Sequence, residues 1–277
     1  MHIGIYYFSG TGNTELVARM FADAFGPGHT VELMNVELLP NPLPSAELER
    51  FDLLGFGGPV HLFAASLAFT RFIKRLPKVN RRPAFLFLTA GGEGLDALSY
   101  PHRLLCSKGL DVVAESVFVL PCNVFISDRK GERLEYRFLG WTGGYRSDEL
   151  SARCREQVQK VASAALSGTR MLVQRGLLAR LTTALCLPTL YLSTWQMKLQ
   201  LHANRSCNRC GLCARSCPEA NIRMTERGVR FGWRCVMCFR CLNACPVHAV
   251  RLLFPSSLFD NKVQYTAPGW HPPDHNR

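Results

Sequence analysis

"YYFSGTGNTE", residues 6–15, joins an apolar run, "HIGIYYF" (2–8), to "NTELVARMFADAF" (13–25), in which Leu16, Val17, Met20, Phe21 and Phe25 recur at helical spacing. A glycine and hydroxyl loop between a strand and a helix N-terminus offers free backbone N–H groups and the positive end of a dipole, a setting for an anion. A Walker-type loop needs Lys then Ser or Thr after its second glycine, but Gly12 is followed by Asn13 and Thr14. A dinucleotide fingerprint needs a third glycine where Glu15 stands. What remains is uncharged and rich in donors: Ser9, Thr11, Thr14 and the Asn13 amide, on a turn made by Gly10 and Gly12. That set suits the terminal phosphate of a mononucleotide such as FMN. An ordinary glycine turn capped by Ser and Thr is the competing reading.

Further strands read as "HTVELMNV" (29–36), "DLLGFGG" (52–58), "PAFLFLT" (83–89) and "DVVAESVFVL" (111–120). Helical patterns alternate with most of them, at 62–76 and 94–109. Alternation of this kind predicts a doubly wound parallel α/β sheet with its ligand outside the carboxyl ends of the strands. The turns "SGTGNT", "GGPVHLF" (57–63), "TAGGEG" (89–94) and "PCNVF" (121–125) should then line one site. Asn123 is placed to hydrogen-bond a ring there, Cys122 faces the same space, and the glycines of these turns are equally read as plain turn residues.

Near the other end, "CNRCGLCARSCPEANIRM" from Cys207 and "CVMCFRCLNACPVHAVRL" from Cys235 align without a gap, 28 residues apart. Each carries the C-x2-C-x2-C-x3-C-P run that holds 4Fe-4S clusters, the fourth Cys ligating the other cluster. Cys207, Cys210, Cys213 and Cys245 are therefore expected around one cluster, and Cys217, Cys235, Cys238 and Cys241 around the second. Ile222 and Val250, at matching positions, are expected to shield them. Zinc sites or a cluster-free relic are the alternatives, and zinc has no use for the crossed fourth cysteine. Of the other four cysteines, Cys106, Cys154 and Cys186 read as small buried apolar residues.

The chain has 277 residues and a net charge of +12, from 33 basic and 21 acidic side chains. Such a balance points to acidic partners, nucleic acid or an anionic membrane surface, and no nucleic-acid motif is present. Between residues 201 and 254 nine arginines face only Glu219 and Glu226, which suits an acidic redox protein partner; a solvated basic face with no specific partner is the equal alternative. Without an export signal at the N-terminus, twelve cysteines point to metal or redox chemistry and a cytoplasmic location. Between the two halves, 147–166 reads as an amphipathic helix. The segment 176–201 is the most apolar, but Arg180 and Pro188 interrupt it, so no membrane span is expected. A helix packed across both domains is the expected role, with peripheral membrane contact as the alternative.

Residues 1 to about 125 resemble a flavodoxin through "SGTGNT", "GGPVH" and "TAGG", and residues 205 to about 254 resemble a bacterial two-cluster ferredoxin. In this order the pair is similar to the flavodoxin-ferredoxin fusion proteins of anaerobic metabolism. The resemblance implies FMN, two 4Fe-4S clusters and electron transfer. It places Ser9 to Thr14 on the phosphate, and Pro59, Val60, His61, Gly91 and Gly92 near the isoalloxazine. His61 departs from the pattern, standing where an aromatic ring stacker would be unsurprising.

The resulting expectation is a flavodoxin-like FMN domain (1–146), a helical connector (147–204), a small α+β ferredoxin domain (205–254) and a tail (255–277). Its function is a relay between FMN, the clusters and a protein partner, with no residue assigned a catalytic role. A flavin-dependent reductase of a small molecule, with a proton donor such as His61, is the first alternative. A ferredoxin carrying an FMN-free docking domain is the second.

Overall fold

The structure, a computed structural model, describes residues 1–92, 94, 96–123, 147–174, 176–253 and 264–275. The expected boundary at 146, residues 124–125 of the fourth turn and the tail residues 255–263 lie outside the described residues.

Five parallel strands form the main sheet: β1 (His2–Tyr7), β2 (Thr30–Asn35), β3 (Leu53–His61), β5 (Arg82–Ala90) and β6 (Leu110–Val119), in the order β2-β1-β3-β5-β6. β4 (Ala64–Ala65) pairs antiparallel with the end of β3. Setting that hairpin arm aside, this is the flavodoxin-type order, whose switch point falls between β1 and β3.

Alternation sets the two faces. Phe85 and Phe87 point to one side, with Phe21 and Phe25 of helix α1 (Asn13–Phe25), Phe118 and Ile5. Leu86 and Leu88 point to the other, with Phe56, Phe69, Ile73 and Leu105. Phe21 lies 4.8 Å from Phe85 and 5.1 Å from Phe87, ring centre to ring centre. Gly55 and Gly57 leave room for these rings: a Cβ there would come within 2.4 Å of Phe85 and 2.1 Å of Phe87. The glycines of β3 therefore answer core packing, and β3 runs on through "GGPVH" as strand.

The helix expected over 62–76 starts only at Leu67, as α3 (Leu67–Arg75), where Ser66 caps Phe69 N. Leu62 and Phe63, both with positive φ, make the hairpin turn before it. After α2 (Ser45–Glu49) and α3 comes α4 (Ser99–Ser107), which buries Pro101 and Leu105 and turns Cys106 outward. Cys106 is exposed rather than buried as expected; Cys154 is buried, and the Cys186 side chain lies outside the described residues. The amphipathic helix expected over 147–166 is α5 (Ser147–Ser167). Its Cys154, Val158, Val161 and Ala162 close the Phe21–Phe118 side of the core, so it completes the first α/β layer.

Helix α6 (Leu177–Gln200) then leads into β7 (Leu201–Ala203), which pairs with β10 (Val250–Leu252). Between these lie α7 (Leu212–Arg215), the hairpin β8 (Ile222–Thr225) and β9 (Gly228–Phe231), and α8 (Arg240–Asn243). The 28-residue repeat is also a backbone repeat. Left-handed residues recur in register at Arg209 and Met237, Gly211 and Phe239, and Ala220 and His248. One apolar core runs from Phe56 and Phe69 of the α/β layer into Ile222, Val236, Phe239 and Val250 of the cysteine-rich half.

Candidate functional site

Each cysteine run makes a tight loop closed by one turn of helix, so three thiols converge while the fourth leaves toward the neighbouring loop. Two cavities of about 20 Å³ result. One is ringed by Cys207, Cys210, Cys213 and Cys245, with Val250 in its wall. The other is ringed by Cys217, Cys235, Cys238 and Cys241, with Ile222 in its wall. The crossed grouping is thus present in the geometry, and eight soft thiols in two sets of four fit two 4Fe-4S clusters. Among the described residues no three Cys, His, Asp or Glu side chains form a group suited to a single metal ion.

The chain also aims donors at the sulfurs. Asn221 N and Ala249 N, equivalent in the repeat, lie 3.3 and 3.2 Å from Cys217 Sγ and Cys245 Sγ, and Met237 N lies 3.4 Å from Cys235 Sγ. Such hydrogen bonds stabilise added negative charge on a cluster. Burial pushes the Cys213 and Cys235 thiols up to about 11 and the Cys238 thiol up to about 12, so iron must displace protons to load.

The hydroxyl loop lies at the β1 switch point. Gly12, with φ +99°, is the N-cap of α1. The predicted residues Ser9, Gly10, Thr11, Asn13, Thr14, Pro59, Val60, His61, Gly91 and Asn123 line one cavity of about 60 Å³ with Thr89, Pro121 and Cys122; Gly12 and Gly92 are outside its lining. By donor chemistry and size this cavity fits a phosphate group. Cofactor pockets run from about 300 Å³ upward, so a three-ring flavin requires the loops around it to draw apart.

The loop is also an interface. The Gly10 backbone lies so close to the cysteine-rich half that a Cβ there would sit 2.6 Å from the Cys238 carbonyl oxygen. Arg240, between two cluster ligands in sequence, donates through Nε to Gly10 O at 3.1 Å and through Nη2 to Ser9 O at 2.7 Å. The same guanidinium holds the Glu37 carboxylate at 2.5 and 2.8 Å, with both side chains buried. Burial alone would raise the Glu37 carboxyl; Arg240 and His275 beside it more than offset that and hold it below its ordinary value. Asn123 Nδ2 donates to Thr11 Oγ1 at 3.1 Å and approaches Cys238 O at 3.4 Å, while its own carbonyl accepts from Asn243. From the tail, Tyr265 OH donates to Asn13 Oδ1 at 2.6 Å, and Ala267 N donates to Thr11 O at 2.8 Å. Trp270 covers Gly12.

Burial lowers His61 to about 4, so its ring is neutral at pH 7. Its Nδ1 is buried without a hydrogen-bond partner. Arg240, one of the nine arginines read as a basic face for an acidic partner or for solvent, is a buried structural cation instead. Sequence reasoning missed Glu37, Tyr265 and Trp270 as well. The one available signal was a long cation inside "CFRC", where the first run has "CGLC".

The 4Fe-4S dicluster domain family matches residues 200–246. A curated relative, an uncharacterized protein of Methanocaldococcus jannaschii, is 27% identical over 105 residues, 37% of this chain. The match spans 64% of that relative, under two thirds of its length. Among solved structures, a flavodoxin from the domain Archaea is 13% identical over 60% of this chain and 99% of its own, with a TM-score of 0.41. The rubredoxin oxygen:oxidoreductase of Desulfovibrio gigas is 16% identical over 60% of this chain and 36% of its own, with a TM-score of 0.42. A two-electron reduced flavodoxin of Megasphaera elsdenii is 21% identical over 58% of this chain and 99% of its own, with a TM-score of 0.39. The flavodoxin-type assignment rests on the strand order rather than on these scores. One chain thus carries a flavodoxin-type strand order and a segment that matches the 4Fe-4S dicluster domain family.

Proposed function

We propose that the chain relays electrons between FMN, anchored by its phosphate at Ser9–Thr14, and the two clusters, and from there to or from a redox protein partner. The supporting observation is the contact of Gly10 with Cys238: the phosphate loop and a ligand of the second cluster touch through their backbones. Bound FMN would exchange electrons in ones or twos, whereas each cluster passes one. The chain's own residues do the positioning. Ser9, Thr11 and Thr14 carry the hydroxyls that face a phosphate, Arg240 and Asn123 fix the loop against the cluster ligands, and the buried apolar walls exclude water.

The phosphate reading separates FMN from riboflavin. Anaerobically reconstituted protein should retain FMN through gel filtration and release riboflavin; equal retention of both, or of neither, contradicts it.

A second reading has its own support. The loop's polar groups are already engaged within the chain, Ser9 Oγ by Gly12 N and Glu15 N, Thr14 Oγ1 by Thr89 Oγ1, and Asn13 by Pro121 O and Tyr265. On this reading the α/β domain is an FMN-free platform that docks the ferredoxin half. Retention of neither flavin, with both clusters present, selects it. Reduction of a small molecule at the flavin would draw on His61, whose ring burial holds neutral at pH 7.

A further inference from the structure

Helix α6 leaves an apolar face uncovered. Leu177, Leu181, Leu185, Leu192, Trp195 and Leu199 are all exposed, Leu185 by 77% and Leu192 by 54%, while Leu190 and Thr194 on the other side are buried. From Leu181 the spacing runs four, three, four, three, four through Leu185, Pro188, Leu192, Trp195 and Leu199, one continuous stripe along the helix. An apolar stripe of this length on the outside of a protein marks a docking surface.

The charge around it selects the occupant. Helix α6 contains no Asp or Glu and carries Arg180 and Lys198, whereas Lys160, Arg170 and Arg215, nearby in sequence, pair with Glu156, Asp111 and Asp274. By sequence position Arg180 and Lys198 are five helical turns apart, on one flank of the stripe. At its C-terminal end Trp195 stacks on the exposed Trp233 at 5.4 Å, and Lys198 Nζ lies 4.0 Å above the Trp233 ring. A second copy packed α6 against α6 would bring the same two cations and no acidic residue from that helix to pair with them, so a helix–helix seam is disfavoured. An apolar face flanked by cations and carrying tryptophan matches the boundary between headgroups and acyl chains of an anionic bilayer. Among the described residues no helix is long and apolar enough to cross a membrane.

We infer that α6 docks the protein flat on an anionic lipid surface, with the Leu181–Leu199 stripe in the acyl boundary and the flanking cations among the headgroups. The inference does not depend on FMN. The test is co-sedimentation of the anaerobic, cluster-loaded full chain with phosphatidylglycerol–phosphatidylcholine vesicles and with pure phosphatidylcholine vesicles. Leu185→Glu combined with Leu192→Glu is compared with wild type, and cluster absorbance reports folding. Binding is expected on the anionic vesicles only, weakened by salt, and at least about tenfold weaker in the double variant. Brominated phosphatidylglycerol should quench wild-type tryptophan fluorescence, a readout that stands even if the variant fails to fold. Absence of wild-type binding, or binding that the double variant retains in full, overturns the inference. So does a wild-type dimer dispersed by the same substitutions without vesicle binding, which assigns the stripe to a second copy.

Discussion

Arg240 and Glu37 form a buried two-point ion pair, 2.5 and 2.8 Å, across the junction of the α/β layer and the cysteine-rich half. The guanidinium is only 1% exposed and also holds the carbonyls of Ser9, Gly10 and Ser216. One side chain therefore ties the phosphate loop to the loops of both cysteine runs.

Removing one partner strands the other charge in the interior. Glu37→Ala should destabilise the folded protein by about 3–5 kcal/mol, more than Glu37→Ala combined with Arg240→Met does. Denaturant midpoints of the three proteins check this. A double variant as unstable as Glu37→Ala alone, or more so, contradicts it.

The pair also predicts a pH dependence with a definite sign. Because the Glu37 carboxyl is held below its ordinary value in the folded chain, its contribution is fully present above the unfolded value. It is lost as pH falls through the depressed folded one. The stability difference between wild type and Glu37→Gln should thus stay constant through neutral pH and shrink only in acid, below the ordinary carboxylate range. Denaturation of both holoproteins across that range measures it; a difference that shrinks toward alkaline pH contradicts the assignment.

Close approach at Gly10 leaves no room for a side chain. Gly10→Ala forces its Cβ against the backbone carbonyl of Cys238, whereas Gly28→Ala meets nothing within 4 Å. The first should cost about 1–3 kcal/mol and expose the junction to protease; the second should leave both unchanged. Limited proteolysis of the two variants side by side is the check.

Crossed ligation is testable by pairs of substitutions. Cys207 and Cys245 ring one cavity and Cys217 the other. Cys207→Ser with Cys245→Ser should therefore keep one cluster, about four irons, while Cys207→Ser with Cys217→Ser should lose both. Uncrossed ligation gives the reverse pattern in iron analysis.

How much of this was legible in the sequence varied with the range of the interaction. Local signals read true: the helix over 13–25 and the two cysteine runs sit where spacing placed them, because a 3.6-residue period and a four-ligand run are written in neighbouring residues. Misreadings arose where distant packing decided. Gly57 resembled a cofactor loop glycine, but its reason is the Phe87 ring of the next strand. The pattern over 147–166 announced an amphipathic helix but not its partner: Val158 and Val161 fill the face that Phe21 and Phe118 leave open. Nothing near Arg240 in the chain announces Glu37, some 200 residues away, and the tail residues Tyr265 and Trp270 carry no periodicity to show that they close over Asn13 and Gly12.

On the proposed relay, one chain brings a flavin phosphate site and two clusters into contact. The most direct measurement is iron, sulfide and flavin content of the anaerobically reconstituted protein after incubation with excess FMN and removal of what is unbound. The account predicts about eight irons and about one FMN per chain. About eight irons with no flavin would contradict the relay and leave a ferredoxin whose α/β domain serves only to hold it.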